Sequence, residues 1–212
     1  GQYYSTCRMA DFWVDLKKAP VQETERLARM NGISEVRTRI QFKVLCDLEG
    51  VDEPVGGIMI SMPPDPAPVI NGLVMRSGSY FTHDRVNEII VSEKFAEARD
   101  LRPGDELAVI MNGRREELVI VGTAISAEFV YLTSPGSLVD DPKNFGLFYV
   151  KQAFAEDNFG FEGACNNVVG LLTPDVSGEG EEVIDELARR LEAYGVFASI
   201  PRSLQFSHMT MD

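Results

Sequence analysis

Histidine is nearly missing from these 212 residues: there are two, His83 and His208. No His pair therefore stands at ligand spacing, no H-E-x-x-H occurs, and no Cys/His set for zinc can be assembled. Cysteine is also scarce. Cys7, Cys46 and Cys165 are widely spaced without C-x-x-C, which excludes a disulfide framework and leaves open either one bridge with a free thiol or three buried reduced thiols. Basic charge is short, with 20 Lys and Arg against 33 Asp and Glu and a net charge of −13. The nearest thing to a basic cluster is Arg114-Arg115 beside a turn, so phosphate-gripping nucleic-acid binding is excluded as a main role. No run approaches the roughly 18–20 apolar residues of a membrane helix. Gly1-Gln2-Tyr3-Tyr4 has neither the basic nor the apolar region of a signal peptide, and the chain reads as an excised piece of a longer one.

What is present is ordinary material for a folded domain: 44% hydrophobic and 25% charged residues, in a chain long enough for a substantial core. Residues 11–16 read as a strand. Pro20 then starts a helix whose apolar face holds Val21, Leu27 and Met30 and which stops at Asn31-Gly32. From Ile33 to Leu48 one long extended pattern is expected. Residues 61–72 hold four prolines and read as a boundary. Beyond them come a strand at Glu88–Val91, a helix capped by Ser92, and a two-residue hairpin, Glu106–Met111 and Arg114–Val121, turning at Asn112-Gly113. A glycine stop is expected at Gly122, followed by a second run rich in Phe, Val and Tyr. Phe145–Val150 and Asn167–Leu172 read as strands. The strongest helix lies between Ser177 and Tyr194, with Val183, Ile184, Leu187, Leu191 and Tyr194 in one stripe and Gly195 as stop. Val196–Ile200 is a final strand. The fold class is α+β with a β-rich insertion.

Chemistry is thin. There is no nucleophile elbow and no phosphate-binding loop; Gly178-Glu179-Gly180 has two glycines and acids where phosphate would sit. Glu116-Glu117 and Asp140-Asp141 are adjacent pairs, which in a strand point to opposite faces and read as solvated charges. Trp13 reads as core in preference to a ligand wall. No catalytic, cofactor-binding or metal-binding residue is assigned, and the chain is expected not to be an enzyme.

The order of turns is more specific than any side chain. Residues 88–131 run through Ser-Glu-x-Phe-Ala, Leu-Arg-Pro-Gly-Asp, the Asn-Gly hairpin, Ile-Val-Gly-Thr-Ala and Phe-Val-Tyr. This resembles the extracytoplasmic core domain of MacB/FtsX-type ABC transporter permeases, and the segment from Tyr3 to Pro20 is similar to the part that follows the first membrane helix of that family. The tail keeps Arg202, Gln205, Ser207 and His208 of a related R-x-D-Q-x-S-H pattern, with Leu204 where the acid stands. The resemblance implies a porter-like α+β subdomain from residues 1–60 and 145–212, interrupted by a β-rich, sabre-like insertion over 61–144. It implies a membrane-anchored domain on the extracytoplasmic side, in a periplasm or on the outer face of a single-membrane cell. The implied partners are the rest of the permease and its ATPase subunit, with a second permease copy, an extracytoplasmic protein, or a lipid, lipoprotein or peptide substrate as further candidates. No cofactor is implied. Gly1 and Asp212 should lie on the same side of the fold. The alternative is a free-standing soluble binding module or enzyme with a pocket between the two parts.

Overall fold

The computed structural model describes residues 8–126, 128, 141–176 and 180–202. In chain order its elements are β1 (Phe12–Pro20), α1 (Val21–Glu25), β2 (Ile33–Arg39), β3 (Gln41–Asp47), β4 (Val55–Met62), β5 (Leu73–Gly78), β6 (Glu88–Ser92) and α2 (Glu93–Arg99). There follow β7 (Glu106–Met111), β8 (Arg114–Ser126), β9 (Phe145–Lys151), α3 (Gln152–Phe159), β10 (Ala164–Leu172), α4 (Gly180–Arg190) and β11 (Val196–Pro201). They divide into two compact units.

The first unit holds the described residues up to Ile40, the segment Pro68–Gly72, and those from Gly163 onward. Its four-stranded sheet has the order β11-β1-β10-β2, with every neighbouring pair antiparallel. Hence β1 and β2 are parallel with β10 between them, and β10 and β11 are parallel with β1 between them. Two split β-α-β units interleave, which is the ferredoxin-like arrangement. On one face Phe12, Val14, Leu16 and Val168 pack against Leu27 and Met30 from the turn after α1 and against Ile184, Leu187 and Leu191 of the α4 region. The stripe expected for that last helix is the one buried, and each such side chain contributes about 1.5–3 kcal/mol. The other face carries Val169, Trp13 and Leu171 against Ala10 and Ile70. Trp13 is thus half-buried packing, as its place in an alternating strand suggested.

The second unit holds 41–67 and 73–162. Its sheet runs β5-β8-β6-β9-β4-β3-β7, and β7 also pairs with β8. Six strands therefore close into a ring, leaving β5 as an extra edge. The hairpin turns as expected: Asn112 and Gly113 have φ of 49° and 75°, the positive pair that a type I′ turn demands.

Several expectations are corrected. The run Ile33–Leu48 is two strands in different sheets, parting at Ile40. The boundary expected at 60/61 falls inside β4, and the one at 144/145 immediately precedes β9. Because β3, β4 and β9 all ladder into the second sheet, the division lies at 40/41 and 162/163, with Pro68–Gly72 returning to the first unit. The middle is accordingly larger than expected. The helix from Pro20 is one α-helical turn that tightens to a 3-10 turn over Arg26–Arg29. Ser92 precedes α2 without capping it; its hydroxyl accepts the amide of Leu147 instead. Helix α3 carried no stripe because its buried side chains, Phe154 and Ala155, are adjacent. Gly122 does not stop a strand. It lies within β8, where a Cβ would stand 2.6 Å from Ser79 O and 2.8 Å from Ser77 O, so glycine admits close backbone approach.

Phe12 lies directly opposite Gly170 across β1 and β10, and a Cβ on that glycine would stand 2.1 Å from the Phe12 ring. Gly170→Ala should overpack this site and cost about 1–3 kcal/mol, read as a lower urea midpoint with an unchanged m-value.

Candidate functional site

The residues that sequence reasoning weighed do not converge. His83 pairs with Asp65 at 3.2 Å on a fully solvated surface. Arg114 bonds Glu116, and Arg115 bonds Asp47 and Glu117, so the adjacent acids and bases of the hairpin neutralise one another. Asp141 accepts the amide of Lys143 at its own turn. Cys7, Asp140, His208 and the tail residues Leu204, Gln205 and Ser207 lie outside the described residues. Cys46 and Cys165 are free and buried. No group of three or more metal-ligating side chains occurs among the described residues.

What the fold does assemble is a junction. Asp11 sits where three strands meet: its amide donates to Gly170 O, one carboxylate oxygen accepts the amide of Leu172, and the other pairs with Arg202 at 2.9 Å. The amide of Arg202 donates to Asp11 O at 2.7 Å. The two ends of the described chain are therefore tied together through Asp11 and Arg202. A strap formed by Pro68–Gly72 is pinned next to them. Arg8 donates to Pro68 O at 3.1 Å, Arg37 to Ile70 O at 2.7 Å, and Asn71 accepts the Ala10 amide at 2.8 Å while donating its own amide to Arg8 O. Asn71 holds φ at 54°, a left-handed conformation that asparagine tolerates. Behind the junction, Arg39, Asn167 and Asp15 form a side-chain ladder across β2, β10 and β1, each bond 2.7 Å.

The second unit contains one buried ionic site that sequence reasoning missed. Glu88, fully buried at the start of β6, faces Lys151 at the end of β9 at 3.4 Å. Burial acts to raise the Glu88 carboxyl, but the hydroxyl and amide of Thr82 and the Lys151 ammonium outweigh it and hold the carboxyl below its ordinary range. Beside α2 an open groove of about 510 Å³ is lined by Glu93, Glu97, Asp100 and Arg102 with Ser77 and Thr123. The two hydroxyls bond each other at 2.6 Å and Glu93 is paired with Arg76. Ala96, Leu101 and Pro103 also line it, so this is an open depression of mixed charged and apolar character, unlike the enclosed form of small-molecule sites.

This geometry holds the two ends of the described chain together at Asp11 and Arg202; Gly1 and Asp212 themselves lie outside the described residues. No protein-family model matches the sequence, and no curated protein does. Among solved structures, the extracellular domain of the noncanonic ABC-type transporter YknZ from Gram-positive bacteria superimposes with a TM-score of 0.54 at 16% identity, covering 89% of this chain and 100% of that one. The periplasmic region of MacB from Actinobacillus actinomycetemcomitans gives a TM-score of 0.53 at 11% identity, covering 95% and 94%. The chain thus has the fold of MacB-like periplasmic domains of ABC transporter permeases.

Two outcomes follow from the buried titratable groups. The Glu88 carboxyl is depressed in the fold, so its stabilisation is complete above the ordinary glutamate value near about 4.3 and is lost as the pH falls through the folded value. Glu88→Gln should be less stable than wild type at neutral pH, and the gap should close below about pH 4, as read by urea denaturation across pH. Burial pushes the Cys46 thiol up to about 12 against the opposing pull of Arg99, and burial also raises Cys165. In a Cys7→Ser background neither thiol should react with a disulfide reagent at pH 8 until denaturant is added.

Proposed function

We propose that this chain is the extracytoplasmic domain of an ABC transporter permease, placed in the loop between two membrane helices. It links ATP-driven motion of those helices to handling of a substrate or partner outside the membrane. The observation that carries this reading is the junction: β1 and β11 are hydrogen-bonded neighbours whose outer ends, at Asp11 and Arg202, are joined by a backbone bond and an ion pair. A domain inserted into a membrane loop needs its two connections close together on one face. The fold shared with the YknZ and MacB domains supports the same assignment. No helix among the described residues is long and apolar enough to cross a membrane, which suits a domain standing outside it.

In this reading the ferredoxin-like unit is the porter-like part, next to the membrane helices, and the closed six-stranded unit is the sabre-like insertion. ATP hydrolysis takes place on a separate cytoplasmic subunit or domain, and the partners are that ATPase and the membrane part of the permease. The domain works as a contact and transmission element, with no chemical step of its own. Its stiffness comes from strand pairing across β1, β10 and β2 and from the closed ring.

The test is topological. Glu49 is exposed at the turn between β3 and β4. In the full-length permease lacking Cys7, Glu49→Cys should be labelled by a membrane-impermeant maleimide applied outside cells with an intact inner membrane. Labelling only after cell lysis would place the domain in the cytoplasm and overturn the assignment.

A further inference from the structure

Glu88 and Lys151 have no part in the proposed function, yet they are an acid and a base buried together in the second unit. The antiparallel register of Ile89 with Val150 sets them opposite each other across β6 and β9. Their attention is turned to a single loop, residues 79–87, which joins β5 to β6. The two Glu88 carboxylate oxygens accept the Thr82 amide at 2.8 Å and the Thr82 hydroxyl at 2.6 Å. The Lys151 ammonium donates to the carbonyls of Thr82 and Arg85, the latter at 2.6 Å. Arg85 in turn brings its guanidinium to 3.6 Å from Glu88. The Thr82 hydroxyl also accepts the amide of Asp84. The charged groups facing Glu88 are therefore Lys151 from β9 and Arg85 from the loop, while His83 turns outward to Asp65.

The tip that this node holds is exposed: His83, Asp84, Arg85 and Val86 all face solvent, and Val86 is half accessible. Its flanks are anchored separately. Ser79 donates to Val121 O and Asn87 accepts from Val119 N, each at 2.9 Å, and Phe81 is buried. Between those anchors the segment 82–86 has the ion-pair node as its fixing point. A buried ion pair adds little net stability compared with an apolar pair of the same volume, whereas losing one partner strands a buried charge. The return on burying these charges is therefore conformational: four charge-assisted bonds specify one backbone path for an exposed tip.

We propose that Glu88 and Lys151 form a latch that locks segment 82–86 in one conformation and releases it, with β6, β8 and β9 still paired, when the node is weakened. The latch holds an exposed, largely charged tip rigid, the pre-organised state in which a surface loop loses least entropy on meeting a partner.

Arg85-Val86 is a trypsin site inside the latched segment, so cleavage of that bond, followed by mass spectrometry, reports the open population. Three variants of the 212-residue chain test the idea: Lys151→Met, Glu88→Gln, and Thr82→Val, which removes one hydroxyl donor and leaves both charges in place. Lys151→Met should be cleaved there roughly tenfold faster or more, the factor expected from losing hydrogen bonds to a charged group. Glu88→Gln and Thr82→Val should be cleaved faster by smaller factors. In all three, amide exchange at Ile90 and Val150 should remain as slow as in wild type. Wild-type cleavage rates in all three variants would overturn the proposal. So would loss of protection at Ile90 and Val150 in step with cleavage in Thr82→Val, a variant that remains informative if Lys151→Met does not fold.

Discussion

The hydrogen-bond ladder of β1 is the constraint on which the first unit depends. As an inner strand it must satisfy two edges, and it does so with β10 on one side and β11 on the other. Pairing with β11 brings the end of the described chain back beside its beginning. Pairing with β10 then places β2 one strand further out, so that Arg39, the last residue of β2, stands opposite Asn167 soon after the chain returns. An entire barrel can be inserted between those two residues because departure and return are neighbours. The Arg39–Asn167–Asp15 ladder fixes that geometry with polar side chains that are almost completely buried at Arg39 and Asn167. Buried groups of that kind are tolerated only when bonded, so they discriminate strongly against a slipped register.

The second unit solves a different problem. Seven strands in an open sheet leave two edges exposed, and edges invite pairing with other chains. The β7–β8 hairpin closes six strands by lending β8 to both β7 and β6. That requires a long, bent strand with a register shift near Ile89–Ile90 and with Gly122 allowing the loop backbone to approach. Glycine serves close packing elsewhere in this unit too: Gly57 and Gly146 pair across β4 and β9, and each lies under the ring of Phe148. The hairpin is thus a closing and stiffening element, which accounts for how much pattern its sequence carries without any reactive group.

The proposed role rests on connection. Many of the described surface bases pair with neighbouring acids, Cys46 and Cys165 are buried, and the groove beside α2 is open with a mixed charged and apolar lining. The polar groups that are most carefully placed either tie the ends of the described chain together, at Asp11 and Arg202, or fix backbone, at Asn71 and at the Glu88–Lys151 node. That distribution fits a domain whose task is to be held at two adjacent points and to present surfaces.

Local features were legible because their signals are local. The Asn112-Gly113 turn needs positive φ at two residues, and few residue pairs provide it. The α4 stripe reports one helix face whatever it packs on, and the final strand after Gly195 follows from that stop. The order of turns also carried the resemblance that the fold comparison supports. The rest required the tertiary structure. Periodicity shows that Ile33–Leu48 is extended, but not that Ile40 separates two sheets, because alternation looks the same in either. It could not reveal α3, whose buried residues form no stripe, nor the boundaries at 40/41 and 162/163, which are set by which distant strands pair. Glu88 and Lys151 stand far apart in the chain, and only strand register brings a lone acid and a lone base to the same buried point. The sequence by itself determined the Asn112-Gly113 turn, the Gly195 stop and the buried face of α4, since those depend on neighbours within a few residues. Sheet membership, ring closure, the pairing of β1 with β11 and the buried ion pair were decided by the tertiary structure, because each depends on a partner that no local pattern names.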